Sequence, residues 1–365
     1  MKAGYLSWLG LLGAGIVAGI YTAARLFSEG HVLFNANDVV LWTLPIGSYV
    51  FFALISSGLG LLSALPLLFG VGRYMIEAKR IVLLAIATLL AAFVSIGLEL
   101  GSLEHVHYLF LSPNMSSPIQ IMGLIYSAEL VFLVLKFWRI HKDDLDSGLS
   151  KVCGVGSFVC ALFGPLVLGS VFGITEARPT FFGSFLPVLC LLIAIVSGLA
   201  GFVLYDSIYL LLVKTASSRA GEETILDDAS LKLCFTLFLA LLFYALWGAY
   251  RSATTLPDFA TELNFSLALV LVVPFALLLF KGVRASSWGR ILASAIALVA
   301  FFGLHMSVIL AGQVRPMGPK AEGLPGVLSY SPSLWEILVV VMSLAVLLLA
   351  ATLAERYLDL TPEPA

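Results

Sequence analysis

Long runs of hydrophobic residues alternate with short polar connections along almost the whole chain. Each run has roughly the 20 apolar residues that a helix needs to cross a lipid bilayer. The connections are short, so we expect no inserted soluble domain. The pattern predicts about ten membrane-spanning helices, at residues 5–27, 41–70, 81–102, 119–138, 152–174, 186–213, 231–250, 263–280, 291–313 and 334–353.

The composition supports a membrane protein. Hydrophobic residues make up 60% of the 365 residues, charged residues only 12%, and the mean hydropathy is +1.04. Charged residues are roughly a quarter of an ordinary soluble protein. The net charge of −2 gives no reason to expect a nucleic-acid partner. Residues 5–27 are too long for a signal-peptide core of about 7–15 residues, so we expect a retained first helix.

Cysteine and histidine usage gives no pattern for a bound metal or redox centre. An iron–sulfur cluster needs clustered thiolates, whereas the four cysteines lie in apolar runs without a CxxC pair. His305 lies near the middle of the ninth run, but no second histidine is expected at its depth to complete a haem site. We therefore expect this chain to hold no haem, no iron–sulfur cluster and no metal ion. The cysteines are Cys153, Cys160, Cys190 and Cys234.

The distribution of basic residues predicts the orientation. Fifteen of the 20 lysines and arginines fall at alternate ends of the apolar runs, and five fall at the opposite ends. Basic residues are enriched on the cytoplasmic side of membrane proteins. Both termini should therefore be cytoplasmic. The His-rich turn near residue 105 and the connections 175–185 and 314–333 should face outward.

Two short patterns recur at a similar spacing. Leu44-Pro45 precedes Ser57-Gly-Leu-Gly60, and Leu186-Pro187 precedes Ser197-Gly-Leu-Ala-Gly201, with Gly58 and Gly198 140 residues apart. Arg178-Pro and Arg315-Pro follow helix ends 137 residues apart. Chance is the alternative, because small residues are common where membrane helices meet. We favour a parallel repeat of two four-helix bundles, 41–175 and 176–315. The first helix with its outer loop (1–40) and the outer loop with the last helix (316–365) would be peripheral.

The richest candidate chemistry lies in the outward turn after the third run. Glu99 lies just inside the span, and Glu104, His105 and His107 follow at the interface. Ionisable groups within a membrane are costly and are functional candidates. A histidine changes charge near neutral pH, and a nearby carboxylate accepts protons. Quinone chemistry needs side chains that hydrogen-bond the two ring oxygens and that exchange two protons. This set of residues offers both. The alternative is an ordinary solvated turn.

Glu129 lies about ten residues into the fourth run, which places it roughly 15 Å deep. Tyr126 lies on the same helix face, three residues earlier. We predict a quinone or proton role for this pair, the alternative being a protonated glutamate that joins two helices. Asp206 and His305 are weaker candidates for proton transfer, and each has a structural alternative as an interfacial residue or a helix–helix hydrogen bond.

Arg178 and Arg315 each lie beside a proline at an outer helix end. Arginine at this position reaches head groups or pairs with a docked protein. The connection 314–333 is long for a membrane protein and also suits a protein partner, although a plain solvated loop is the alternative. We predict that these two arginines contribute to partner docking.

The ordered motifs resemble the NrfD/polysulfide-reductase family of membrane subunits, over most of the chain. Many members have Asp-Leu-Gly-Arg-Pro where this chain has Glu99-Leu-Gly-Ser-Leu, so the acid is retained and the basic residue is absent. The matching motifs are Trp42-x-x-Pro45, Tyr49-Val-Phe-Phe52, Ser57-Gly58, Glu99-Leu-Gly101, Ser112-Pro-Asn-x-x-Ser-Pro118, Ala177-Arg-Pro179, Leu186-Pro187 and Tyr330-x-Pro-Ser-x-x-Glu336. The last is similar to the ten-helix branch, which includes subunits of the Qrc, Dsr, hydrogenase-2-type and alternative complex III assemblies.

The resemblance implies a membrane anchor without a redox cofactor of its own. It would bind menaquinone or ubiquinone near the outer face of the first bundle. Electrons would pass to or from a docked ferredoxin-like iron–sulfur subunit or multihaem cytochrome c, in a complex with a catalytic redox subunit. The setting would be the cytoplasmic membrane of a bacterium or archaeon, among membrane lipids. Whether this chain is itself catalytic stays open. A secondary transporter and a purely structural anchor are the alternatives, although transporters usually show broken helices at a midplane site.

Overall fold

The computed structural model describes residues 2–101, 103–178, 181–212, 219–254 and 265–360. Nine helical segments in these ranges are long and apolar enough to cross a membrane, which confirms an all-α, multi-pass membrane protein. The eighth long helix is shorter in its described part, and residues 255–264 before it lie outside the description. The long helices are α1 Lys2–Glu29, α2 Leu44–Leu67, α3 Ala78–Glu99, α4 Pro118–His141, α5 Gly148–Gly173, α6 Phe185–Leu212, α7 Arg219–Thr254, α8 Phe265–Leu279, α9 Ser287–Ala311 and α10 Leu334–Tyr357.

Helix ends follow local sequence signals. Pro45 and Pro118 lie in the first turns of α2 and α4, where proline's missing N–H costs nothing. Ser333 caps α10, and the side chain of Glu336 reaches back to the Ser333 backbone in a capping box. The short helices between the long ones are His31–Leu33, Gly72–Glu77, Leu103–His105, Tyr108–Leu111, Lys281–Ala285 and Gly318–Ala321.

The largest difference from the predicted boundaries is at α7, which starts at Arg219 rather than near residue 231. Its first turns carry acids that pair with basic groups of neighbouring segments. Arg284 Nε lies 3.3 Å from Asp227 Oδ1, and Arg73 Nη1 lies 2.9 Å from Asp228 Oδ1. The hydrophobic run therefore marked the apolar part of the helix and missed the polar turns that continue it.

The described helices pack in two neighbouring groups. In the first group, α2 packs on α3 and α5, and α4 packs on α3 and α5. In the second group, α6 packs on α7 and α9, and α8 packs on α7 and α9. Helix α1 packs on α10, which packs on α3. The boundaries of two repeated bundles stay a prediction.

The two groups meet where α2 crosses α6. A Cβ atom built on Gly58 would overlap the carbonyl oxygen of Ala194, and one built on Gly198 would overlap the backbone of Gly58. Small residues allow such close approach between membrane helices. The two recurring Ser-Gly-Leu patterns therefore contact each other directly.

Candidate functional site

Glu99 is the last residue of α3, at the end predicted to face outward. The hydroxyl of Thr43, just before α2, donates a hydrogen bond to Glu99 Oε1 at 3.2 Å. Glu99 Oε2 is buried and has no hydrogen-bond partner among the described residues. A buried polar atom without a partner is costly. This oxygen is therefore able to accept a further hydrogen bond.

The segment before α10 completes the surroundings of Glu99. The Tyr330 hydroxyl accepts a hydrogen bond from the Leu44 N–H at 2.9 Å and donates one to Glu336 Oε1 at 3.1 Å. Burial raises the pKa of the Tyr330 phenol well above its usual range. The carboxylates of Glu336 and Glu99 also raise this pKa, whereas the hydrogen bond from the Leu44 N–H lowers it. The phenol therefore stays protonated and remains a donor.

The sequence motif contained Tyr330 and Glu336, but nothing in it indicated that they would lie near Glu99. These residues are more than 200 positions apart in the sequence, and the packing of α10 on α3 brings them to the same end of the molecule. The one local signal was Ser333 followed three residues later by Glu336, which is a capping pattern.

A cavity of about 190 Å³ opens at the same end, between α1 and α3. The structure brings Glu104 to this cavity together with His31, a residue that no sequence pattern indicated. The His31 ring nitrogen Nε2 lies 3.3 Å from the carbonyl oxygen of Leu98. The lining residues are Leu26, Phe27, Gly30, His31, Gly97, Leu98, Leu100, Gly101 and Glu104.

The predicted histidines His105 and His107 lie on the surface beside this cavity. The side chain of His105 is 58% exposed, and its Nδ1 lies 3.8 Å from Glu104 Oε1. His107 Nδ1 lies 2.7 Å from the Glu104 carbonyl oxygen. Both rings pack on Tyr108. Their place in a ligand site stays a prediction.

Tyr126 and Glu129 are fully buried in α4. Ser57 on α2 donates a hydrogen bond to Glu129 Oε2 at 3.2 Å, and Glu129 Oε1 has no partner in the described part of the chain. The Tyr126 ring meets that of Tyr49 edge-on, with centroids 6.3 Å apart. Glu129 lies about 16 Å along α4 from its outer end. The structure therefore does not place Glu129 beside Glu99.

The position of Lys136 near the end of the fourth apolar run predicted only that it would lie on the basic cytoplasmic side. In the structure this residue is buried. It is 3% exposed and donates hydrogen bonds to Ser63 at 2.8 Å and Ser157 at 3.2 Å. It follows Glu129 by seven residues, or two helical turns of about 10.5 Å, on the same face. That spacing was the one available signal.

Lys136 also lines a cavity of about 270 Å³ at the predicted cytoplasmic end. Basic and acidic side chains surround it, so it is suited to water. Glu129 and Lys136 thus form a polar line inside the first group, which ends at this cavity. The lining residues are Pro66, Leu67, Leu68, Met75, Lys136, Arg139, Ile140, Leu145, Asp146, Ser150, Lys151 and Gly154.

Comparison with known proteins identifies the family. Residues 31–317, most of the chain, match the family model described as polysulphide reductase, NrfD. The chain belongs to the NrfD family. A curated relative is the Hdr-like menaquinol oxidoreductase integral membrane subunit of Archaeoglobus fulgidus, which is 22% identical over 388 aligned residues covering 99% of this chain and 95% of the relative. The resemblance expected from the motifs is confirmed.

The NrfD match includes Glu99, Glu129 and Lys136 but not α10, which contributes Glu336. The cluster around Glu99 therefore combines residues from inside and outside the matched region. In the described ranges, no three His, Cys, Asp or Glu side chains form a group that could hold a metal ion. The polar groups at both ends of the first group suit an organic ligand with oxygen atoms.

Asp206 lies in a buried ion-pair cluster of this NrfD protein. Arg80 Nη1 lies 3.2 Å from Asp206 Oδ1 and 2.5 Å from Glu77 Oε2, and Arg80 Nε lies 2.7 Å from Glu355 Oε1. The arginine is 2% exposed and the acids are 1%, 1% and 14% exposed. The basic-residue count predicted only that Arg80 would flank a helix, because sequence alone does not identify the three helices that converge on it.

His305 lies in α9 between the two groups. Its Nδ1 lies 3.0 Å from the Phe301 carbonyl oxygen, and its Nε2 is buried without a partner among the described residues. The ring lines a small cavity of about 20 Å³ with apolar neighbours. The structure does not bring His305 to Glu129 or Asp206 through any described hydrogen bond.

Arg178 and Arg315 meet at the predicted outer face of the NrfD chain. Arg178 Nη1 donates a hydrogen bond to the carbonyl oxygen of Arg315 at 2.7 Å and lies 3.5 Å from that of Gln313. The two recurring Arg-Pro segments are therefore joined, and Arg178 is half-buried. Their role in partner docking stays a prediction.

Proposed function

We propose that this NrfD chain is the quinone-reactive membrane subunit of a redox complex. It would exchange electrons between menaquinone or ubiquinone and a docked iron–sulfur or multihaem subunit. The family supports this, as does the relative described as part of a menaquinol oxidoreductase. The observation that carries the proposal is the pair of buried carboxylates, Glu99 and Glu129, that each retain one unpaired oxygen in the described structure.

The quinone head would bind at the outer end of α3. A quinol that binds there supplies two electrons and two protons. Glu99 Oε2 would accept a hydrogen bond from one hydroxyl of the ring. Glu104 and His31, which line the outer cavity, would contact the ring as it enters. His105 and His107 would lie at the rim of this cavity. Glu99 and the histidines are the groups that would take the protons.

The buried pair on α4 would carry protons rather than bind the ring, although the sequence suggested both roles. Ser57 holds one oxygen of Glu129, and the other is available to a proton carrier. Lys136, two turns away, is the link between Glu129 and the cytoplasmic cavity. Tyr126 lies one turn towards the outer face. Protons would therefore move between the cytoplasmic cavity and the first group's centre. Asp206 and His305 stay weaker candidates for proton transfer.

Partner subunits would dock on the predicted outer face. That face carries Arg178, Arg315 and the connection through Gly318–Ala321 to α10. Electron exchange requires a redox centre close to the quinone head, and Glu99 lies at this same end. A ferredoxin-like iron–sulfur subunit or a multihaem cytochrome c would supply the centre.

Quinol oxidation by the purified complex tests the proposal. We expect both Glu99→Gln and Glu129→Gln to lower the rate about a hundredfold, because proton transfer by a positioned side chain contributes ~10²–10⁴-fold. Glu223→Gln, an exposed acid near the start of α7, is the control and should leave the rate unchanged. Unchanged rates in both test variants would remove these acids from the mechanism.

Purification separates this proposal from a transporter. The complex should bring iron–sulfur or haem subunits with the chain, visible as redox-active absorbance. Solute uptake by vesicles that contain the chain alone, without such subunits, would favour a secondary transporter instead.

A further inference from the structure

A large cavity lies at the predicted cytoplasmic end, away from the candidate site. It has a volume of about 580 Å³ and is enclosed by α1, α6 and α10. Ile208 and Leu212 are exposed at its edge, so it is open to lipid. The lining residues are Tyr5, Trp8, Tyr205, Ile208, Tyr209, Leu212, Leu348, Ala351, Thr352, Glu355 and Arg356.

Glu355 offers a hydrogen-bond acceptor in this cavity. Its Oε1 accepts hydrogen bonds from Arg80 Nε at 2.7 Å and from the Tyr205 hydroxyl at 3.1 Å. Among the described residues, its Oε2 has only a long contact of 3.5 Å to Arg80. A carboxylate oxygen has room for two hydrogen bonds. Oε2 is therefore held in place and still able to accept from a ligand hydroxyl.

Tyr5 offers a donor across the cavity. Its hydroxyl is buried and makes no hydrogen bond within the described ranges. The guanidinium of Arg356 lies 4.4 Å from the centre of the Tyr5 ring, which holds the ring in place. Trp8 is fixed too, because its indole N–H donates to Thr352 at 3.1 Å. The cavity thus has an acceptor, a donor and flat aromatic walls.

The charges in the wall disfavour an anionic phospholipid head. Arg80 already pairs with three carboxylates, those of Glu77, Asp206 and Glu355. A phosphate in the cavity would face the Glu355 carboxylate with Arg356 as the lining cation. A neutral ring with two oxygens meets no such repulsion, and the aromatic side chains favour a flat ring.

We propose that this cavity binds the ring of a second quinol, with its hydrocarbon tail in the lipid beside Ile208 and Leu212. One hydroxyl of the quinol ring donates a hydrogen bond to Glu355 Oε2. The oxygen on the opposite side of the ring accepts a hydrogen bond from the Tyr5 hydroxyl. The ligand class rests on the proposed function, but the site is separate from the outer one. The proposal concerns binding and includes no electron transfer at this position.

Photolabelling of the full chain tests the site. The chain, in nanodiscs of phosphatidylcholine, is irradiated with the reduced, quinol form of a ring-azido analogue, and labelled peptides are mapped by mass spectrometry. We expect label on α1, α6 or α10 near Tyr5 and Tyr205, in addition to label at the outer end of α3.

Two variants probe the cavity. Ile208→Trp fills it and should reduce label there about tenfold or more. Leu211→Trp is the matched control, because Leu211 lies on the same helix, is equally exposed at 39% and does not line the cavity. Tyr5→Phe, which removes one hydroxyl without changing shape, should reduce label several-fold.

The outcomes separate the two proposals. Label at α3 without label at the cavity overturns this inference and leaves the proposed function intact. No label at either position contradicts both. Cavity label that persists in Ile208→Trp, or that anionic phospholipid displaces while excess quinol does not, overturns the inference in favour of a lipid site.

Discussion

The same small-residue pattern serves two different environments in the two helix groups. In the first group, Ser57 directs its hydroxyl across to Glu129 on α4, at 3.2 Å. In the second group, Ser197 donates back to the carbonyl oxygen of Ala194 on its own helix, at 3.3 Å. The adjacent glycines, Gly58 and Gly198, pack against each other. The pattern therefore forms the contact between helices in both groups. Among the described residues, however, its serine has an ionisable partner only in the first group.

This difference separates architecture from chemistry. Close helix packing needs only small side chains, so both groups retain them. The proposed function needs ionisable residues added to that frame, and in the first group these would be Glu129 and Lys136 on α4. At the comparable place in the second group, the described part of α8 is apolar apart from Ser266. We infer that proton chemistry belongs to the first group.

Gly58→Ala should have the largest effect, because it breaks the contact that both groups share. The added methyl would overlap the Ala194 carbonyl oxygen, and backbone does not move aside as a flexible side chain does. We expect a loss of about 3 kcal/mol or more of folded-state stability, at the upper end for overpacked sites. Thermal unfolding in detergent, followed by fluorescence or circular dichroism, measures it.

Gly10→Ala on α1 is the control for this substitution. No heavy atom lies within 4 Å of a Cβ built there, and alanine is the better helix former. Its unfolding temperature should not fall. Equal behaviour of the two variants would show that the α2–α6 crossing is not as tight as described.

Much of this architecture could be predicted from the sequence. Nine of the ten predicted spans correspond to described helices long enough to cross a membrane, and span 263–280 contains the shorter described helix α8. About 20 apolar residues in a row have few other stable arrangements. The boundaries were less certain. Helix α7 begins some 12 residues before its apolar part, since Asp227 and Asp228 find basic partners outside the helix. Hydropathy does not detect such pairs.

The site was predictable only in part. Glu99 and Glu129 stood out, because a carboxylate in an apolar run has few structural explanations. Lys136 and Arg80 did not, because a basic residue near a helix end is usually at the interface. Both are buried, since serines or carboxylates from other helices surround them. Those partners come from distant parts of the chain, and no local pattern announces them.

Lys136→Met would sharpen the comparison by removing the cation from the first group alone. Methionine preserves the length of the side chain but carries no proton. We expect proton exchange at the cytoplasmic face to slow about tenfold, equivalent to ~1.4 kcal/mol in the barrier. Proteoliposomes with an enclosed pH dye, supplied with quinol and the complex's electron acceptor, measure this rate.

Lys142→Met is the matched control for proton exchange. Lys142 directly follows α4 but is exposed and lies over the ring of Trp138. Its removal should leave proton exchange unchanged. If both lysine variants behave like the unmodified protein, the line from the cytoplasmic cavity to Glu129 does not carry protons.

Substitutions of the two serines should have the smallest effect on activity. They also compare the two helix groups most directly. Ser57→Ala removes the donor to Glu129, and a typical hydrogen bond contributes about 0.5–1.5 kcal/mol, so we expect a roughly fivefold fall in quinol oxidation. Ser197→Ala removes only a hydrogen bond within α6 and should leave oxidation unchanged. Both variants keep the small side chain that the crossing requires, so their stabilities should be similar. Equal loss of activity in both would mean that the second group contributes to the chemistry as much as the first.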